Sequence, residues 1–399
     1  MPVTVQARGG QTQLVLLVTI LFVSYLTIAM ALPVVPVFVH TQLGGNNGWS
    51  GFAVGVPFLS TLVTRARAGK LADQRGGKTC LLSGLRYYVL GSVICLLAAY
   101  GAFGAELRFA LLVLGRLLLG VGEGQVSVGT ILWGIGLMGH ARAGKVMVLV
   151  GISMYGALAV GGPLGLALFH WLGFGGLMLV STLLPVLGGL TMRRFPGTPL
   201  VAGQRYSLWQ VLKPILGPGA VVGLQGVGFA ALGAFLPLYF FSQNWRFAGW
   251  GLTCFGCGFV FMRLIGGNLP DRLGGAPVAC FSLALEAAGQ YLIWLAPVPL
   301  AAFAGALLTG LGCSLVFPAM GREAIKRVEP HLAGTAIGGF AAFQDIAYGA
   351  TGPLTGLVAD HTGYATVFLI GGASATLALA LALQMLLSAR LAARVKEAD

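Results

Sequence analysis

The stretch Gly69–Lys78, GKLADQRGGK, sets four charged side chains into ten residues of a chain in which 9% of residues are charged. Apolar runs flank it at 48–67 and 79–101. Working outward, the same alternation of long apolar run and short polar punctuation repeats along all 399 residues, which are 57% hydrophobic and include 63 glycines, with a mean hydropathy of +0.88. A hydrocarbon core about 30 Å thick takes roughly 20 apolar residues in a helix. Twelve runs meet that need, near 13–38, 48–67, 79–101, 107–133, 145–169, 174–191, 215–240, 248–266, 276–295, 299–320, 333–357 and 363–388. The fold class expected is an all-α membrane protein of twelve transmembrane helices in two six-helix bundles. The first run is long and lacks a small-residue cleavage site, so it reads as a spanning helix and not as a removable signal.

The charge of +13 does not point to nucleic acid, because the basic residues are scattered through short loops instead of lining one face with stacking aromatics. Topology accounts for them. With the N-terminus in the cytoplasm, all of the 24 Lys and Arg except Arg108, Arg116 and Arg246 fall in inner loops and tails, so the positive-inside rule predicts both termini cytoplasmic. The five His are scattered without metal spacing or a nucleophile–base pattern, and no phosphate-cradling loop is present, so neither an enzyme nor an ATP-driven pump is expected. Cys254 and Cys257 have the spacing of a redox or metal pair, but no His or third Cys stands nearby, and all six Cys read as packing residues. No metal and no cofactor are expected.

The polar, basic segment 192–214 splits the runs six and six, giving bundles at 1–191 and 215–399 joined by a cytoplasmic linker. The halves repeat each other. Arg65, Gly69 and Asp73 recur as Arg263, Gly267 and Asp271, an offset of 198 residues. LLLGVGEG at 117–124 recurs as LLTGLGCS at 307–314, and Gly162-Pro163-Leu164 as Gly352-Pro353-Leu354, both offset by 190; Leu32-Pro33 is answered by Leu236-Pro237. A duplicated six-helix unit is the arrangement of transporters that rock about a central site.

On these residues the chain resembles the major facilitator superfamily over essentially its whole length. Gly69–Lys78 resembles the loop signature between helices 2 and 3, Gly267–Gly275 its degenerate second copy, and GRLLLGVGEG at 115–124 the helix 4 signature. Within the superfamily, Gly122-Glu123-Gly124 with FPAMGREAIKRVEPHLAGTAIG at 317–338 is similar to the YhhS-like group of bacterial transporters, a group associated with efflux. The resemblance implies a secondary active transporter of the bacterial inner membrane that exports a small molecule by alternating access in exchange for protons. It implies a monomer with protons, a small-molecule substrate and membrane lipids as partners. A proton-coupled importer, a non-coupled facilitator and a lipid-translocating member of the fold are the alternatives. It further implies a gating latch of Arg65, Gly69, Asp73 and Arg75, echoed by Gly267, Asp271 and Arg272. The glycines of the fifth run, among them Gly162, match part of an antiporter-associated signature, with Leu158 and Leu166 departing from it.

Charge in the bilayer core costs roughly 2.5 kcal/mol or more per group, so Arg116, Glu123, Glu286 and Asp345 each need a reason. Arg116 and Glu123 lie two turns apart on one helix face, and their repeat counterparts are Ala306 and Cys313, so this charge is present in one copy alone. Arg116, Glu123 and Asp345 are the candidates for proton coupling. Glu286 reads as a structural acid with Gln290, at i+4, as its local partner. Ser24, Tyr25, Thr27, Gln125, Gln225, Tyr239, Ser314, Phe317, Gln344 and Tyr348 are the expected cavity linings, with Tyr25, Gln125, Gln225, Tyr239, Phe317, Gln344 and Tyr348 as substrate-binding candidates. Gly120, Gly122, Gly162, Pro163, Gly352 and Pro353 are expected to serve helix packing.

Overall fold

The computed structural model describes residues 3–99, 102–139, 142–198, 208–329 and 332–398. Among them there is no strand. The helices in chain order are α1 (Val3–Gln42), α2 (Asn47–Leu97), α3 (Ala105–Met138), α4 (Ala143–Arg193), α5 (Leu208–Ser242), α6 (Trp250–Gly266), α7 (Leu269–Leu273), α8 (Gly275–Trp294), α9 (Pro299–Ile325), α10 (Ala333–Thr362) and α11 (Ala365–Ala398). Two compact units divide the chain, Met1–Gln204 and Arg205–Asp399. The stretch 199–207, within the expected linker, lies outside the described residues.

Among the described residues, seven helices are long and apolar enough to cross a bilayer on length and composition alone, and the 49-residue span Lys145–Arg193 is too long for one crossing. It turns at Gly173, whose φ of 68° is open to glycine. α2 breaks in the same way at Gly76, with φ 86° and ψ 159°. With α2 and α4 each counted as two rods and the one-turn α7 set aside, the fold is twelve membrane helices, six to a unit.

The opening stretch is therefore not a loop. Helix runs through Gly69 to Arg75 and is interrupted at Gly76 alone, because one glycine at positive φ suffices to reverse the chain. Gly69 itself stands clear of its neighbours. No atom lies within 4 Å of where its Cβ would stand, and the close approach falls at Gly77, whose Cβ would sit 2.7 Å from the Trp133 backbone nitrogen.

The duplication is visible in contacts within each unit. On the second rod of α2, Gly77, Gly84 and Gly91 press on Gly129, Gly122 and Gly115 of α3, a seven-residue ladder in which each backbone meets its partner's carbonyl. Shifted by 198 on one side and 190 on the other, the ladder becomes Gly275, Ser282 and Gly289 of α8 on Ala319, Gly312 and Gly305 of α9. The breaks shift likewise: Gly76 becomes Gly274 (φ 92°, ψ 157°) and Gly173 becomes Gly363 (φ 84°, ψ 167°). A Cβ on Gly120 would overlap the Pro57 carbonyl, and one on Gly310 the Phe255 carbonyl, again the same pair after the shifts. Gly162 and Gly352 are both buried, and Gly161 and Gly165, beside Gly162 on α4, rest on the Ala29 and Met30 backbone of α1. Small residues at these crossings let helices in lipid gain dispersion contact without a hydrophobic driving force.

One end of the first unit is tied by Lys78, whose Nζ donates to the carbonyls of Arg193 (3.0 Å) and Phe195 (2.6 Å), and by Gln13, which donates to the Pro196 carbonyl at 2.9 Å. A cation on the last carbonyls of α4 also meets the negative end of its dipole. At the other end Arg108 donates to the Ala98 carbonyl and lies over the Phe38 ring, which stacks on Phe174 at 3.9 Å. The second copy of the motif is braced differently: Arg322 of α9 donates to the Pro270 carbonyl and lies 3.8 Å from Asp271, and the Gly275 amide donates to Glu323.

Candidate functional site

Arg116 is 1% exposed and its work is local. Pro57 has no N–H, so the Ala53 carbonyl four residues earlier loses its helical donor. The Arg116 guanidinium crosses from α3 to supply one: Nε donates to the Ala53 carbonyl at 2.9 Å and Nη2 to the Val54 carbonyl at 3.1 Å. The same device recurs at Pro185, where Ser92 Oγ donates to the Ser181 carbonyl at 3.2 Å. Buried backbone carbonyls in lipid must be satisfied internally, and this requirement gives the intramembrane arginine its reason.

Glu123 is 7% exposed, between Gly122 and Gly124 at the crossing of α3 with the second rod of α2. The Tyr25 hydroxyl of α1 hydrogen-bonds its carboxylate, Tyr88 of α2 stands within electrostatic reach of it, and Tyr155 of α4 stands within reach of Tyr25. Phenols from α1 and α2 thus face the carboxyl on α3, with Tyr155 behind Tyr25. Tyr25 was anticipated as a lining residue; Tyr88 and Tyr155 were not, since a tyrosine on an apolar helix carries no sequence mark of its partner. The Ser24 and Thr27 hydroxyls donate to the carbonyls of Ile20 and Ser24 on their own helix. Gln125 is buried with its side-chain oxygen lacking a donor.

In the second unit Gln225 of α5 is a hub. Its Nε2 donates to Glu286 Oε1 of α8 at 3.3 Å and to Cys313 Sγ of α9 at 3.0 Å, and its Oε1 accepts from Gln344 of α10 at 3.4 Å. Asp345, next to Gln344, is also buried. For Glu286 the structure adds a second residue to the expected Gln290: Gln225, 61 residues away, donates to its carboxyl, while Gln290 Nε2 donates to the Gly228 carbonyl at 3.1 Å and to Thr309. Tyr348 packs on Phe229 at 4.8 Å, Phe317 on Phe340 at 4.9 Å, and Tyr239 between Trp245 and Phe368 at 5.4 and 5.5 Å. Ser314 donates to the Phe259 carbonyl at 2.9 Å. Of the gating set, Arg75, Asp271 and Arg272 are exposed, and Arg65, Asp73 and Gly267 are half-buried. Among the described residues no group of three or more His, Cys, Asp or Glu is placed to hold a metal ion.

Comparison with known proteins agrees with this architecture. Residues 219–398 match the family model of the Major Facilitator Superfamily. An uncharacterized MFS-type transporter of Salmonella typhimurium is 41% identical over 360 residues, covering 90% of this chain and 93% of its own. One from Burkholderia mallei is 40% identical over 369 residues, covering 92% and 91%. Among solved structures, the nucleoside transporter NupG superposes with a TM-score of 0.76 at 14% identity, covering 93% of this chain and 99% of that one. A bacterial homolog of the human lysosomal transporter Spinster gives 0.75 at 12% identity, covering 94% and 96%. The human organic anion transporter TETRAN gives 0.68 at 17%, covering 94% and 99%. With relatives at this identity along nine-tenths of its length and two glycine-laddered units of six helices, the chain belongs to the major facilitator superfamily, a multi-pass membrane transporter and not an enzyme.

Proposed function

We propose that this transporter exports a small molecule across the bacterial inner membrane by alternating access, in exchange for protons, with Glu123 carrying the proton and both termini in the cytoplasm. The observation that carries the reading is the Glu123 carboxyl of α3, buried against α1 and α2 and hydrogen-bonded by Tyr25. A buried carboxyl couples proton and substrate when both bias the same rocking equilibrium. Arg116 is set apart from this role, since two of its nitrogens are engaged on the Ala53 and Val54 carbonyls. Asp345 is the second candidate for coupling. The direction of transport follows the likeness to the efflux-associated group. Gln125, Gln225 and Gln344 are retained as substrate-facing groups.

The test is flux in proteoliposomes under an imposed pH gradient, with a panel of drugs, sugars and metal-chelating metabolites. At least one solute is expected to move against its own gradient when the proton gradient is applied and to stop when it is collapsed by a protonophore. Flux that ignores the pH gradient contradicts the exchange. The latch is tested in the same assay: Asp73→Asn is expected to insert normally and to slow turnover several-fold, and equal rates at matched protein amount remove Asp73 from gating.

A further inference from the structure

The crossing that holds Glu123 in the first unit has a counterpart in the second, and it also holds an acid, on the opposite helix. Shifting by 198 residues carries Tyr88, which faces Glu123 from α2, onto Glu286 of α8; shifting by 190 carries Glu123 onto Cys313 of α9. The contacts agree with the shift. A Cβ on Gly122 would lie 2.9 Å from the Tyr88 ring, and one on Gly312 would lie 2.8 Å from Glu286 Cβ. Each unit therefore buries one carboxyl at the same place in its ladder, with the acid and its facing residue exchanged between helices.

The hydrogen-bond inventory around Glu286 lacks one donor. Glu286 and Gln290 are both 0% exposed, and their head groups meet over Gly228, whose Cβ would stand 2.8 Å from Glu286 Oε1 and 3.2 Å from Gln290 Nε2. Gln225 donates to Glu286 Oε1 and Cys313 hydrogen-bonds the same carboxyl, but Glu286 Oε2 has no partner, and neither has Gln290 Oε1. Turning the Gln290 amide over does not help, because its Nε2 is fixed by the Gly228 carbonyl at 3.1 Å. Two buried acceptors on residues one helical turn apart are thus left without a donor, and each such orphan costs about 1–3 kcal/mol. A proton on Glu286 Oε2 turns that atom into a donor, and Gln290, at i+4, is its neighbour on the same helix face.

We propose that Glu286 is a proton-binding site of the C-terminal unit, carrying its proton on Oε2 and donating it to Gln290 Oε1. The site lies wholly inside that unit and stands whether or not Glu123 carries the coupling proton. Cys313 on α9 is the titratable group in contact with it. α5 presents Gln225 and Gly228, and α11 presents Gly371, with no charge at this level; Asp345 on α10 is one residue from Gln344, which reaches the site through Gln225. Gln225 donates to Glu286 Oε1 and accepts from Gln344, so one side chain links the site to α10.

Infrared difference spectroscopy on the purified full chain at neutral pH, in a detergent without ester carbonyls, reads the site without a substrate. The C=O stretch of a protonated carboxylic acid is expected in the wild type and in Glu123→Gln, and is lost in Glu286→Gln, whose amide can still donate to Gln290. In Gln290→Met the band is expected to persist at higher wavenumber, because the acid proton has lost its acceptor. The proposal is overturned if Glu286→Gln removes carboxylate intensity and leaves the acid band unchanged. Should Glu286→Gln not fold, an acid band that stays in place in Gln290→Met overturns it equally.

Discussion

Gly120→Leu is expected to yield no stable protein, read as loss of the monodisperse peak in detergent size-exclusion chromatography, whereas Gly69→Ala runs as the wild type. The contrast follows from what surrounds each glycine. At Gly120 the added Cβ would overlap the Pro57 carbonyl and the Ser60 hydroxyl. Ser60 Oγ is itself held at 2.7 Å from the Leu117 carbonyl, and Thr61 Oγ1 at 2.8 Å from the Gly120 carbonyl, so neither helix can slide without breaking these bonds. Overpacking an ordinary core costs about 1–3 kcal/mol, and here the obstacle is rigid backbone on both sides. Gly69 has open space around it. Gly310→Leu tests the duplicate crossing and is expected to behave as Gly120→Leu, because it meets the Phe255 carbonyl in the same way. A well-behaved Gly120→Leu protein would show that the ladder does not hold the unit together.

The second large effect is a rescue. Arg116→Met leaves the Ala53 carbonyl without a donor in a water-free interior, at a cost of about 1–3 kcal/mol, and lowers the melting temperature by about 5 °C on the scale of a 200-residue unit. Pro57→Ala returns the missing N–H to the helix. The double variant Arg116→Met/Pro57→Ala is therefore expected to recover most of the loss, giving a coupling energy of about 1 kcal/mol or more in the double-mutant cycle. Additive losses would place the value of Arg116 elsewhere, in its electrostatic reach to Glu123.

Much of this architecture is legible in the chain itself. Spans announce themselves because a lipid interior demands long apolar helices, and the offsets of 198 and 190 that align short motifs also align glycine contacts and positive-φ breaks. What was not legible concerns pairing at a distance. A polar decapeptide between two apolar runs reads as a loop, and nothing in its composition reveals that helix continues until Gly76. Pro57 signals that a carbonyl will be orphaned, but the sequence does not say that Arg116, on the next helix but one rod, supplies the donor. Glu286 invites pairing with Gln290 because helical neighbours are visible in sequence, while Gln225, which donates to it, is brought in by packing of α5 against α8. That the Ser24 and Thr27 hydroxyls bond their own helix is likewise seen only in the structure.

The most direct test of the central claim is transport by Glu123→Gln of a solute identified in the proteoliposome panel, measured both as solute exchange without any gradient and as uphill movement driven by a pH gradient. If the Glu123 carboxyl carries the exchanged proton, exchange persists and gradient-driven accumulation falls to the level of protein-free vesicles. Accumulation at the wild-type rate in Glu123→Gln would contradict the account.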